Sequence, residues 1–250
     1  MPRDPESTSA DGSWIMRMRW VDLLFAHWPM PPGALRPLIP AGLELDTFDG
    51  DAWLGIVPFE MEDVAPRGIP ALPVLSAFPE LNVRTYVRHR GRGGVWFLSL
   101  DAASRIAVEG ARAAFHLPYY RASMRVGSTD QGTAYRSTRT DRRGAPAVLQ
   151  ARYRPVGPHG PAAPGSLEAW LTDRRGLYSR DGSDRLAWTA IRHAPWSLAN
   201  AELEIERETM AASHGLSLPD LAPHLLHAEP LDVRAWAPRR LEAAPAADPV

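Results

Sequence analysis

The clearest pattern along the chain is an alternation of apolar and polar positions between residues 81 and 90. A period of two predicts a β-strand with two distinct faces. One face would carry Leu81, Val83, Thr85 and Val87, and the other Asn82, Arg84, Tyr86 and Arg88. The glycine-rich residues 91–94 predict a hairpin turn, so residues 95–100 should return as an antiparallel strand.

Apolar and aromatic stretches predict strands elsewhere, at residues 14–28, 53–60, 119–126, 132–138, 147–153, 177–180, 186–193 and 231–236. Helical spacing is confined to residues 33–39, 104–116 and 166–171, whereas residues 201–213 fit either a strand or a helix. Many strands with few helices predict a mainly β (α+β) domain, antiparallel and closed or sandwiched, with short flanking helices. We assign this domain to residues 14–241 and predict disordered tails at 1–13 and 242–250.

Two segments are predicted to be loops. Residues 65–79 contain four prolines, and a loop of that length inside a compact domain is often a lid or a binding loop. Residues 157–165 are rich in proline and glycine and predict a second loop.

Composition narrows the chemistry. All 28 basic residues are arginine, so no lysine side chain can form a Schiff base with a carbonyl compound. The absence of cysteine excludes disulfides, zinc thiolates and cysteine nucleophiles.

The net charge of −1 argues against a nucleic-acid partner. The arginine pairs at 142–143, 174–175 and 239–240 are interpreted as solvated loops. No apolar run is long enough to predict a membrane span, and the default location is cytoplasmic.

Common catalytic motifs such as G-x-S-x-G and H-E-x-x-H do not occur. His224 and His227 would share one face of a helix, but no third ligand lies near them in sequence, so we predict neither a metal nor a cofactor. His27 follows an apolar stretch and is interpreted first as a hydrogen-bonded core histidine, with catalysis as the second interpretation.

Glu80 opens the alternating strand and continues its polar face. If that face lines a closed barrel, the cavity holds the carboxyl of Glu80, the amide of Asn82, the guanidinium of Arg84 and the phenol of Tyr86. In an antiparallel sheet with one wet face, the same side chains would simply meet solvent. The spacing alone does not decide between these alternatives.

Long unbroken strings carry a family resemblance. Residues 20–29 (WVDLLFAHWP), 34–45 (ALRPLIPAGLEL), 76–87 (SAFPELNVRTYV), 94–102 (GVWFLSLDA) and 193–196 (HAPW) resemble the uncharacterised DUF2071 (YqjF-like) family. That family is similar to a distant branch of the acetoacetate decarboxylase-like superfamily. The resemblance implies an antiparallel β-barrel-like fold with a buried central cavity.

The wider resemblance also implies site residues. Glu80 lies in an aromatic-x-Glu segment similar to the one that supplies an active-site glutamate, and Arg19 is the nearest candidate for an arginine on the first strand. Tyr119 and Tyr120 occupy the positions of the two catalytic lysines of the decarboxylases. Because a phenol cannot condense with a ketone, the resemblance implies that Schiff-base decarboxylation is absent.

Two functions remain open from the sequence. The first is an enzyme acting on a small carbonyl or carboxylate compound, with Glu80, Tyr119 and Tyr120 as catalytic groups. Arg84, Asn82, Tyr86, Arg19 and His27 would then bind the substrate. The second is a non-catalytic protein that binds a small ligand in the same cavity. A small molecule is the expected partner, without nucleic acid or membrane, and a homo-oligomer is an open expectation.

Overall fold

The computed structural model describes residues 13–72 and 76–241, and strands dominate them. This confirms the predicted mainly β class, whereas the predicted tails lie outside the described residues except for residue 13. The fifteen strands of the described residues belong to one continuous sheet. They are β1 (Met16–Val21), β2 (Leu23–Met30), β3 (Glu44–Leu45), β4 (Ala52–Pro66), β5 (Phe78–His89), β6 (Arg92–Ala102), β7 (Tyr119–Thr129), β8 (Gly132–Arg139), β9 (Val148–Gly160), β10 (Gly176–Arg180), β11 (Leu186–His193), β12 (Leu198–Glu208), β13 (His224–Ala228), β14 (Leu231–Ala235) and β15 (Arg239–Arg240). The α-helices are α1 (Pro32–Leu35), α2 (Arg105–Phe115) and α3 (Leu167–Thr172).

The strand predicted at residues 14–28 is a bent pair, β1 and β2, that runs antiparallel to β4. The bend lies at Asp22, whose φ of 49° falls in the left-handed region that aspartate tolerates better than most residues. Beyond the bend the outer neighbours differ, because β1 pairs with β14 and β2 pairs with β13.

Strand β6 also changes its neighbour along its length. It pairs with β5 along one edge, and along the other it runs parallel first to β10 and then to β7. The three strands β4, β5 and β6 therefore belong to two closed rings. One ring is completed by β10, β11, β14 and β1, and the other by β7, β8, β9, β12, β13 and β2.

Sharing a sheet between two rings buries both of its faces. On one face of β5, Leu81 and Val83 pack into a core cluster with Leu54 and Tyr135. On the other face, Glu80, Asn82 and Arg84 line a cavity inside the smaller ring. The period of two is thus confirmed, but its polar face meets an enclosed space.

Helix α2 covers the end of β6 and closes one side of this cavity. Its N-cap is Ser104, whose hydroxyl accepts a hydrogen bond from the backbone N–H of Ala107, and it ends at His116 in the left-handed region. The amphipathic pattern turns Val108 and Phe115 into the core. The prediction of a helix over residues 104–116 is confirmed.

Several boundaries differ from the predictions. The strand expected at residues 53–60 continues to Pro66, and β9 continues to Gly160, into the segment predicted to be a loop. The ambiguous residues 201–213 form the end of β12 and a short 3₁₀ turn. None of the helices in the described residues is both long enough and apolar enough to cross a membrane.

Gly55 offers a test of how closely the shared sheet packs. A Cβ on Gly55 would lie 2.9 Å from Nε2 of the His27 ring and 3.3 Å from Cγ of Arg84. We expect Gly55→Ala to lower the free energy of unfolding by about 1–3 kcal/mol, because the buried His27 ring would have to move. Urea denaturation measures this change.

Gly160→Ala is the control. Gly160 is also a strand residue, the last of β9, and a Cβ there would meet no atom within 4 Å. Equal effects of the two substitutions on unfolding would contradict the close packing of Gly55.

Candidate functional site

The cavity inside the smaller ring, called here the central cavity, has a volume of about 520 Å³. Its walls are mainly apolar and come from β1, β4, β5, β6, α2 and the segment after β4. The polar side chains among its lining residues are Ser76, Glu80, Asn82, Arg84, Tyr119, Thr172, Arg174 and His193. This size and composition are typical of a pocket for a small molecule, which are commonly about 300–1,000 Å³.

Glu80 is the buried acid of the central cavity, with 2% of its surface exposed. Burial raises the pKa of Glu80 to about 8, against the opposing effect of hydrogen bonds from Tyr119 and Asn82. The hydroxyl of Tyr119 donates to Oε2 of Glu80 over 3.0 Å. Because burial and the neighbouring carboxyl raise the pKa of Tyr119 well above its usual value, Tyr119 remains a donor. Glu80 is therefore protonated at pH 7 and has a proton to give.

Arg84 lies on the same face of β5, four residues beyond Glu80. Its Nη2 donates to the hydroxyl of Tyr86 over 3.2 Å, and its guanidinium lies 5.0 Å from the centre of the Phe25 ring. Among the described residues, no carboxylate lies within salt-bridge distance of Arg84, and its buried Nε has no hydrogen-bond partner.

A second guanidinium, that of Arg174, reaches the same end of the cavity. It lies 4.7 Å from the centre of the Tyr86 ring and forms a 2.7 Å salt bridge with Asp46. Asp46 also binds Arg88 at 2.8 Å, so one carboxylate serves two arginines. Neutral Glu80 adds no negative charge. This end of the cavity therefore carries a positive charge that no carboxylate of the described residues balances.

Behind Arg84, the ring of His27 lies 2.5 Å through Nε2 from the hydroxyl of Tyr86. Both side chains are fully buried. Burial lowers the pKa of His27 well below its usual value, with a further contribution from Arg84, so the ring is neutral. His27 and Tyr86 therefore support Arg84 from the layer behind it.

The structure brings together Glu80, Asn82, Arg84 and Tyr119 at the cavity wall and places Tyr86 and His27 next to Arg84. It does not bring Tyr120 or Arg19 to the cavity, and Tyr86 and His27 are not among the lining residues either. Successive residues of a strand point to opposite faces. Tyr119 accordingly faces Glu80, whereas Tyr120 packs against Arg139, whose guanidinium lies 4.4 Å from the centre of the Tyr120 ring.

Arg19 alternates in the same way with the cavity-lining residues Met18 and Trp20 of β1. Its side chain is 42% exposed and lies 3.6 Å from Asp232. The expectation that Arg19 and Tyr120 contribute to the cavity is therefore corrected by the alternation of the two strands.

Arg174 was missed by the sequence interpretation, which placed the pair 174–175 in a solvated loop. Only 9% of the Arg174 side chain is exposed, compared with 40% for Arg175. The helical spacing from Trp170 to Arg174 was the available signal, because the guanidinium lies 4.2 Å from the centre of the Trp170 ring.

The histidine pair also differs from its prediction. His224 and His227 lie on the strand β13, so they cannot share the face that a helix would give them. Nε2 of His227 lies 2.9 Å from Asp22 and Nδ1 lies 3.1 Å from His159, whereas His224 lies 3.4 Å from Glu168. In residues 13–72 and 76–241, no group of three or more potential metal ligands converges.

Comparisons with known proteins identify the family. The sequence profile of DUF2071, described as an uncharacterized conserved protein, matches residues 17–232. The chain belongs to the DUF2071 family. Uncharacterized protein YqjF of Bacillus subtilis (strain 168) is 44% identical over 230 residues, which cover 92% of this chain and 94% of YqjF.

Solved structures show the fold of this DUF2071 protein. An acetoacetate decarboxylase-like enzyme from Sphingomonas wittichii RW1 superposes with a TM-score of 0.62 at 14% identity, over 93% of this chain and 95% of that chain. The enduracididine biosynthesis enzyme MppR, complexed with pyruvate, superposes with a TM-score of 0.61 at 13% identity, over 97% and 96% of the two chains. The DUF2071 protein therefore has the acetoacetate decarboxylase-like fold that the resemblance implied.

The titration of Glu80 predicts an unusual dependence of stability on pH. Unfolded Glu80 ionises near its ordinary pKa of 4.5, whereas the folded protein keeps the proton up to a pKa of about 8. The folded state binds the extra proton between these values, so this contribution to stability is complete below pH 4.5 and is lost as the pH rises to 8. We expect the free energy of unfolding of the wild-type protein to fall by an amount on the order of 3 kcal/mol over this range, and Glu80→Gln to abolish that fall.

Urea denaturation of the wild-type protein and of Glu80→Gln from pH 5 to pH 9 measures this difference. Glu204→Gln, on the exposed face of β12, is the control. A wild-type pH profile that Glu80→Gln leaves unchanged would contradict a buried, protonated Glu80.

Proposed function

We propose that this DUF2071 protein is an enzyme that acts on a small compound bearing a carboxylate and a carbonyl, by proton transfer and without a Schiff base. The observation that carries the proposal is the pairing of two unusual groups on one face of β5. Glu80 is a buried acid with a proton to give, and Arg84 is a partly buried cation without a carboxylate partner among the described residues.

Arg84 binds the carboxylate in this proposal. An arginine can hold a carboxylate through two parallel N–H donors, which fixes the orientation of the substrate as well as its position. Arg174 adds positive charge to the same end, and its buried Nη2 has no hydrogen-bond partner among the described residues. A bound carboxylate would supply the negative charge that Arg84 lacks and an acceptor for Nη2 of Arg174.

Glu80 moves the proton. A general acid works best with a pKa near the working pH, and burial gives Glu80 a pKa of about 8. Tyr119 fixes the Glu80 carboxyl through its 3.0 Å hydrogen bond. Asn82 lies between Glu80 and Arg84 on the strand face, and its buried Oδ1 has no hydrogen-bond partner within the described part of the chain. Asn82 can therefore accept a hydrogen bond from the bound compound.

The chemistry of MppR supports the class of compound. MppR has been solved in complex with pyruvate, a carboxylate with an adjacent carbonyl, and it shares the fold of this chain. The absence of lysine here removes the side-chain amine that Schiff-base chemistry requires, so the proposed reaction uses proton transfer and hydrogen bonding instead.

A second candidate function is non-catalytic binding of a small ligand. The mainly apolar walls of the central cavity favour it, because they supply affinity without contacting a reacting group. Native mass spectrometry of the protein purified from its host separates the two functions. A bound ligand that the protein leaves unchanged supports binding, and turnover of that ligand supports the enzyme.

The adjacent tyrosines provide the sharpest test of the proposed site. In a screen of carbonyl and carboxylate compounds, we expect Glu80→Gln to lower kcat/KM about 10²- to 10⁴-fold, as is typical for the loss of an acid–base group. Tyr119→Phe should lower it about tenfold and shift the pH profile, because Tyr119 sets the environment of Glu80. Tyr120→Phe is the matched control and should leave kcat/KM unchanged, since its ring lies on Arg139 outside the cavity.

Any activity in that screen that survives both Glu80→Gln and Tyr119→Phe would refute this assignment of the site. Equal losses in Tyr119→Phe and Tyr120→Phe would show that the effect is one of stability.

A chemical test addresses the exclusion of Schiff-base chemistry. We expect sodium borohydride with acetoacetate to leave no adduct on any side chain, since the chain has no lysine amine. Peptide mass spectrometry checks this, and it also distinguishes a reaction at the N-terminal amine from one at a side chain. A stable side-chain adduct would contradict the exclusion of Schiff-base chemistry.

A further inference from the structure

The opening of the central cavity is apolar. Three residues of its lining are more than half exposed, namely Ile69 at 52%, Leu72 at 55% and Ile106 at 66%. They mark the place where the cavity reaches solvent, between α2 and the segment after β4. Within the described residues, only four large hydrophobic side chains are more than half exposed, and three of them lie at this opening. Scattered exposed residues are ordinary, but a cluster at a cavity indicates a binding surface.

The opening and the positive charge lie at opposite ends of the cavity. The segment at the opening leads into Phe78 at the start of β5, and α2 follows the end of β6, which pairs with Glu80. Arg84 lies four residues further along β5. At about 3.3 Å per residue, its backbone is roughly 13 Å from that of Glu80.

The space between the two ends is larger than a small acid needs, and its lining includes flexible and small side chains beside aromatic ones. Met16 and Met18 project from β1, and methionine adapts its shape to different apolar partners. On the facing side, α2 presents Ala107, Gly110 and Ala111, which leave room along the cavity. A compound of three or four carbons bound to Arg84 would make no contact with the opening.

We infer that the ligand of the central cavity is an amphiphilic carboxylate with its head at Arg84 and an apolar chain of about eight to twelve carbons. The chain runs past Glu80 towards the opening. Since a carbon–carbon bond is about 1.5 Å long and an extended chain advances somewhat less per bond, about ten carbons span the roughly 13 Å from the level of Arg84 to that of Glu80, next to the opening. The inference rests on the proposed function for the carboxylate head and adds the apolar chain.

Unreactive probes test the chain separately from catalysis. Isothermal titration of the purified protein with butanoate, hexanoate, octanoate and decanoate, each below its critical micelle concentration, gives affinity as a function of length. Burial of a methylene contributes about 0.8 kcal/mol, or roughly three- to fourfold in affinity. We expect decanoate to bind on the order of a hundredfold more tightly than hexanoate.

Two variants locate the chain and the head. Ala111→Phe places a ring in the cavity, and we expect it to weaken decanoate at least tenfold while butanoate is unaffected. Ala113→Phe, on the exposed side of the same helix, is the matched control and should keep the wild-type series. Arg84→Met should weaken decanoate at least tenfold and leave decanol unchanged. Circular dichroism verifies that each variant is folded.

An affinity that stays flat from butanoate to decanoate, while remaining dependent on Arg84, overturns the apolar chain and leaves the carboxylate site intact. Decanol binding as tightly as decanoate, or the absence of binding by every acid, overturns the amphiphilic carboxylate. A rising series combined with activity that is unchanged in Glu80→Gln supports the inference and contradicts the proposed proton transfer.

Discussion

The constraint on which this structure depends is the sharing of β4, β5 and β6 by two closed rings. A sheet in one ring has an inner face and a wet outer face, but a shared sheet has no wet face. The apolar side of β5 therefore packs into a core, and its polar side is carried into a cavity. Side chains that would be ordinary on a surface acquire unusual properties because burial of both faces excludes most of the surrounding water.

The electrostatics of the cavity follow from that exclusion. Removing a carboxyl from water favours its neutral form, so Glu80 holds its proton to a pKa of about 8. A guanidinium does not lose its charge in the same way, and that of Arg84 has no carboxylate partner in the described part of the chain. One strand face thus presents a neutral acid and an unbalanced cation. The cation therefore lies at one end of the polar row on β5 and the neutral acid at the other, nearer the apolar opening.

The site was predictable where strand periodicity decides it and unpredictable where distant elements meet. The positions of Glu80, Asn82 and Arg84 on one face followed from the period of two. The separation of Tyr119 from Tyr120 follows from the same rule, once a strand is known to begin at Tyr119. Arg174 could not be placed, because its burial depends on Asp46, which is 128 residues away in sequence.

The sequence alone determined the mainly β class, helix α2, the two faces of β5, the absence of a lysine amine for Schiff-base chemistry and the resemblance to DUF2071. These are consequences of local periodicity, of residue type or of long shared strings. Only the tertiary structure decided that the polar face of β5 lines a cavity, because that depends on how the rings close. The rings close through pairing between strands that are far apart in sequence, such as β6 and β10. The sequence pattern of a strand predicts the strand but not which other strand it pairs with.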